Sequence, residues 1–199
     1  MEYTAISEKI LDATQYLIQS KGYNTLGFED ISSVIGVEKV HILNHYQSKI
    51  DLCLDVIRRY RKRFTAKLLD TTANYQTNAI NALDLYIDSY MDFGDNHEKI
   101  CLSAALAGEY TILPKEIQQE VLLFIQDNQK WLTDIFTLGK NTGVFTFDSS
   151  SSLSASLAID ALQGSLIVSR AKKDTNHIMQ TIATIKRELG IKELEQNEV

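Results

Sequence analysis

Apolar residues recur every three or four positions along most of the chain, with polar residues between them. Ile6, Ile10, Ala13 and Leu17 mark one face of a first helix, with Ser7, Glu8, Asp12 and Gln15 on the other. Gly22 is its expected stop, because a glycine just past the last periodic position can take a left-handed cap. A second helix is expected from Gly27 to Gly36, burying Ile31, Val34 and Ile35, and a third between Glu38 and Tyr46. A fourth runs from Ser48 through Leu52, Val56, Tyr60 and Phe64 to about residue 70. Longer helices follow at 77–93 (closed by "GDNHE"), 99–113 (stopped by Pro114), 114–140 (Pro114 opening it, Gly139 closing it), 154–173 and 176–189. The serines at 149–152 read as a helix cap, and the polar tail "IKELEQNEV" is expected to fray. "GVFTFD" (143–148) alone looks extended, and it is too short and isolated to build a sheet. The expected class is all-α.

Composition adds limits rather than a function. With 199 residues, 44% of them hydrophobic, the chain can bury roughly 70% of its unfolded surface. The N-terminus lacks the basic and apolar regions of a signal peptide, and no apolar run approaches the ~18 residues of a membrane span. Cys53 and Cys101 fit no metal spacing and make no disulfide framework, so a reducing cytoplasm is expected. Enzyme signatures are missing: there is no G-x-S-x-G, no phosphate loop and no C-x-x-C. Glu38 and His41 form a single E-x-x-H where a di-iron bundle needs two, and "HEKIC" (97–101) lacks the second histidine of a zinc motif. No catalytic residue, metal or cofactor is expected.

Charge is unevenly spread. The net charge is −6, yet residues 1–64 hold nine Lys/Arg against eight Asp/Glu, and the remainder eleven against eighteen. "RRYRKRF" (58–64) carries five cations and no acid. On its own it reads equally as a solvated helix face or as part of a nucleic-acid surface.

Residues 36–49, "GVEKVHILNHYQSK", give that cluster a context. Two short helices joined by a glycine-containing turn are the ingredients of a helix-turn-helix. Val37, Ile42 and Tyr46 can supply the buried side of the second helix. Lys39, His41, Asn44 and His45 can project outward with donors and acceptors suited to base edges. Lys49, in the first turn of the next helix, suits a phosphate.

Residues 6–64, which include "KILDATQYLIQSKGYNTLGFEDISSVIGVEKVHILNHYQSKIDL", resemble the N-terminal domain of the TetR family of bacterial one-component regulators, in order and without a gap. The resemblance implies an N-terminal three-helix helix-turn-helix domain over 4–64 and a larger C-terminal helical ligand-binding and dimerisation domain over 65–192. It places Gly27, Lys39, Val40, His41, Leu43, Asn44, His45, Tyr46 and Lys49 at the DNA surface. The chain departs from the family pattern at four of its positions. Glu38 stands where Ser, Thr or Pro is usual, Val40 replaces a common glycine, Leu43 replaces a tyrosine, and Gly27 replaces a Thr or Ser cap. Altered contacts are expected, Glu38 in particular repelling phosphate.

"CLSAALAGEYTILPKEIQQEV…WLTDIFTLGKNTGVF" is similar to a branch of the family in which some members sense electrophiles or oxidants through a cysteine at the position of Cys101. Two readings of Cys101 stay open: a small buried core residue, or a thiolate switch at a helix N-terminus beside Lys99. Cys53 reads as structural. Tyr86, Tyr90, Phe93, Glu109, Tyr110, Phe124, Asn128 and Trp131 supply the aromatic and polar mix of a small-molecule cavity. Glu109, on an otherwise apolar helix, must be paired or face a polar cavity. Ala155, Ala158, Ala161, Leu162, Gly164, Ser165 and Val168, with Ile178, Ile182 and Ile185, are the expected dimer contacts.

The expected protein is therefore a cytoplasmic bacterial regulator, a ligand- or redox-responsive repressor. As a homodimer it binds a pseudo-palindromic double-stranded DNA operator and answers to a small-molecule inducer or thiol-reactive compound, with no membrane partner. The alternative is a helical ligand-binding dimer that has lost DNA binding and acts through a protein partner.

Overall fold

The computed structural model describes residues 5–74, 78–94 and 98–191. Among them there is no strand. The helices are α1 (Ala5–Lys21), α2 (Phe28–Ile35), α3 (Lys39–Leu43), α4 (Lys49–Asn74), α5 (Ala79–Gly94), α6 (Leu102–Gly108), α7 (Lys115–Asn141), α8 (Ser151–Lys172) and α9 (Asn176–Glu188), with a 3₁₀ turn at Tyr110–Ile112. Most of the "GDNHE" stretch and the tail beyond 191 lie outside the described residues.

The chain divides into two compact units. One comprises Met1–Lys67 and Glu98–Asp127, the other Leu68–His97 and Asn128–Val199. Residue 64, the expected domain boundary, falls within the unbroken helix α4.

In the first unit, Ile10, Leu11, Ile18, Ile31, Ile42, Leu52 and Val56 from α1–α4 share one core with Leu102, Leu106, Ile117 and Val121 from α6 and α7. Val34, expected in this core, is instead about half exposed on α2. Helix α6 is shorter than its apolar pattern. The backbone of Ile100 is engaged by α1: its N–H donates to the Gln19 carbonyl (3.2 Å), and its own carbonyl accepts from Gln19 Nε2 (3.1 Å). A peptide held that way cannot join a helix, so α6 starts only at Leu102.

The arginine run on α4 is spent inside this unit. Arg59, 4% exposed, pairs with Glu8 (2.6 Å) and Asp12 (2.7 Å) on α1, and Arg63 pairs with the same Glu8 at 2.8 Å. On another side of α4, Arg58 reaches Glu120 (2.7 Å) and Arg61 reaches Asp127 (2.6 Å) on α7. Four of the five cations thus bind α4 to its neighbours, a role that neither reading of the run included.

In the second unit α8 packs on α9 and α5. Ser150 caps α8 by accepting from the Leu153 N–H at 3.2 Å. By length and composition α8 is apolar enough to cross a membrane. In this fold its Ala155, Ala158, Ile159, Leu162 and Leu166 are core residues. Helix α7 runs past Gly139, whose carbonyl accepts from both Val144 and Phe145 N–H at 3.0 Å. The stretch 143–148 forms a return loop whose Thr146 N–H donates to the Leu189 carbonyl at 2.8 Å. Gly190 makes that approach possible: a Cβ there would lie 1.9 Å from Thr146 Oγ1, and its φ is +70°.

Candidate nucleic-acid interface

Helix α2 ends at Gly36, left-handed at φ +67°, whose N–H donates to the Ser32 carbonyl. The Ser32 hydroxyl donates to the Val37 carbonyl at 2.7 Å and so fixes the turn that aims α3. Ile42 then buries completely, and Tyr46 buries with its hydroxyl donating to Asp55 on α4 (3.2 Å). These two anchors leave Lys39, Val40, His41, Asn44 and His45 exposed together, as a half-buried Leu43 completes the turn. The exposed set is the outward side expected from the sequence. Tyr46, by contrast, is a support beneath the surface, not part of it.

Lys39 has a partner that sequence reasoning missed. Its ammonium pairs with Glu29 on α2, and that hydrogen bond holds the Glu29 carboxyl below the ordinary carboxylate range. The pair bridges the two helices of the motif. It also means that a phosphate approaching Lys39 competes with Glu29. Gly27 is the N-cap of α2 in extended conformation, its N–H donating to Asp30 at 2.9 Å.

Lys49 opens α4. Its ammonium lies 4.2 Å from the centre of the Tyr23 ring and 3.5 Å from the Asn24 carbonyl. Burial draws its pKa below that of a free lysine, opposed by Cys53, Glu109 and Asp30. Cys53 is fully buried one turn along α4, and desolvation pushes its thiol up to about 12. That thiol stays protonated at neutral pH, in keeping with a structural role.

The residues expected to line one cavity are placed in two clusters. Tyr86 stacks on Trp131 (5.6 Å between centroids) and its hydroxyl lies 3.0 Å from that of Tyr90, to which Gln163 also donates at 3.3 Å. Asn128 is buried in the same unit, and Phe93 is half-buried near the end of α5. Phe124 instead meets Tyr60 and Phe64 edge-on in the first unit, at 5.4 and 5.6 Å. Cys101 is buried near them, its sulfur 3.2 Å from Ser103 Oγ and 4.0 Å from the Tyr60 hydroxyl. The half-buried Tyr110 offers its carbonyl to Gln118 at 2.9 Å. Of the two possibilities open to Glu109, pairing is observed: its carboxylate accepts from the Tyr23 N–H (2.9 Å) and the Asn24 N–H (2.8 Å) in the α1–α2 turn. Among the described residues no group of three or more His, Cys, Asp or Glu could hold a metal ion.

Residues 10–56 match the model of the bacterial regulatory proteins of the tetR family. An uncharacterized HTH-type transcriptional regulator from Lactococcus lactis is 28% identical over 184 residues, 90% of each chain. A TetR transcriptional regulator from Legionella pneumophila superposes with a TM-score of 0.84 at 27% identity, over 95% of this chain and all of that one. A TetR-family regulator from Agrobacterium tumefaciens gives 0.85 at 26% identity, over 91% of this chain and 96% of its own. The matched segment spans the motif whose exposed α3 face was built above, and the likeness continues through the C-terminal helices. Residues 10–56 therefore carry a helix-turn-helix of the tetR type, and the chain as a whole is similar in sequence and fold to TetR-family transcriptional regulators.

Proposed function

We propose that the protein is a ligand- or redox-responsive repressor of the bacterial cytoplasm that binds a pseudo-palindromic operator as a homodimer, with 4–64 as the DNA-binding domain and 65–192 as the ligand-binding and dimerisation domain. The observation that carries the DNA reading is the exposed set Lys39, Val40, His41, Asn44 and His45 above the buried anchors Ile42 and Tyr46. Two such heads about one helical turn apart, roughly 34 Å, would read the two half-sites.

Dimerisation is supported by an exposed apolar stripe on α8. Leu153, Leu157, Ala161, Gly164 and Ile167 follow one helical face, and a Cβ at Gly164 would meet nothing within 4 Å. The small residues expected to make this contact divide differently: Ala155, Ala158, Leu162 and Ser165, with Ile178 and Ile185 on α9, are buried within the chain's own fold. The stripe beside them is the surface left to meet a second copy.

Two substitutions test the reading head. Asn44→Ala is expected to relax preference at one base pair, by about 1–3 kcal/mol for a bidentate contact. Lys49→Ala is expected to weaken binding about equally on all sequences, because a phosphate contact positions without specifying. Site selection from random DNA checks both, and swapped outcomes would reverse the two roles.

For the signal, the position of Cys101 at the N-cap of α6 supports the redox arm of the reading, while its burial fits the core-residue one. Cys101→Ser is expected to abolish release of DNA by diamide, while Cys53→Ser leaves it intact. Release that persists in Cys101→Ser would place the sensor elsewhere.

A further inference from the structure

Glu109 lies far from α3 in sequence, yet it organises the groups around the phosphate contact. Its two oxygens take the N–H groups of Tyr23 and Asn24, two charge-assisted bonds to adjacent residues of one turn. Those same two residues touch Lys49 with their other groups, Tyr23 through its ring and Asn24 through its carbonyl. The turn is built for this. Gly22 has φ +91°, and a Cβ on it would lie 2.0 Å from Glu109 Oε1, so backbone conformation and the carboxylate both demand glycine.

We propose that Glu109 is a positioning residue for DNA binding: from the end of α6 it fixes the α1–α2 turn, and the turn in its place holds the Lys49 ammonium where the motif meets phosphate. The proposal rests on the reading of Lys49 as a phosphate contact.

The test uses the full chain with Glu109→Gln, Glu109→Ala, Lys49→Ala and the Glu109→Gln/Lys49→Ala double variant. A glutamine can accept but also brings donors against the two turn N–H groups, so it breaks the clamp at nearly constant size. Without DNA, limited acetic anhydride labelling read by mass spectrometry should modify Lys49 several-fold faster in Glu109→Gln and Glu109→Ala, with other lysines unchanged. With DNA, each single variant should weaken binding about tenfold and the double variant no more than either, because both act through one contact. Unchanged Lys49 labelling in folded variants overturns the proposal, as does a double variant weakened by the product of the single effects. A wild-type chain that binds no DNA removes the DNA reading and this role with it. The labelling result then still reports whether the clamp exists, which keeps the two failures apart.

Discussion

Gly139→Ala is expected to destabilise the C-terminal helices by about 3–5 kcal/mol, the range for losing a buried phenylalanine. The helical backbone at Gly139 would accept alanine at no conformational cost. The damage comes from Phe145, whose ring would lie 2.1 Å from the new methyl at its nearest atom and 2.6 Å at the next two. A flexible side chain could swing away from such an overlap. Phe145 has no room to do so: it is 1% exposed, sits edge-on to Phe136 at 5.8 Å, and its own N–H is bonded to the Gly139 carbonyl. The methyl must therefore expel the ring or pry the return loop from α7. Trp131, the only tryptophan of the chain, lies in the same unit, so its fluorescence during urea unfolding reports the loss. Gly139→Ala/Phe145→Ala should be no less stable than Phe145→Ala alone, because the methyl then enters vacated space. Gly139→Ala at wild-type stability would show that the loop repacks freely.

The second large effect is expected from Glu8→Ala/Asp12→Ala, about 3–5 kcal/mol of stability, as for breaking a buried ion pair from one side. Both acids pair with Arg59, which is 4% exposed, and without them the guanidinium keeps, among the described residues, the Glu8 carbonyl at 3.4 Å. Arg59→Met is expected to cost less. It removes the buried charge itself, while Glu8 retains Arg63 at 2.8 Å. Removing Asp127, partner of the more exposed Arg61, should cost no more than about 1 kcal/mol. Thermal unfolding of the three variants checks the order. Equal losses for Arg59→Met and the double variant would mean that packing around Arg59, not its charge, sets the cost.

What could be read from the sequence follows from which forces are local. The starts and stops of α1 to α3 were legible because Gly22, Gly36 and the apolar spacing act within a turn or two of themselves. The burial of Ile42 and Tyr46, and hence the exposed side of α3, followed from the same periodicity, which also expected Val37 inside where it is only half-buried. Long-range pairing was not legible. Glu8 and Asp12 stand one turn apart on α1, but nothing local says that they face Arg59, so the arginine run kept two readings. Glu109 carried a usable signal, a carboxylate on an apolar helix, that said it must be satisfied without saying by what. The start of α6 was not legible, because the Ile100 backbone is bonded to Gln19, a tertiary contact that periodicity does not register. On α8 the small residues pointed to close packing correctly, but the partner for most of them is the chain's own α5 and α9.

These placements bear on DNA affinity as well as on stability. With four arginines engaged by acids, Lys39, once phosphate displaces Glu29, and Lys49 are the lysines expected to meet phosphate, and the proposed dimer would supply four such contacts. The most direct measurement is fluorescence anisotropy of the full chain on its selected operator across a salt series. The account predicts two chains per duplex and a log–log salt slope of about −3.6, at 0.9 per neutralised phosphate. A folded protein that fails to bind even at low salt would contradict it.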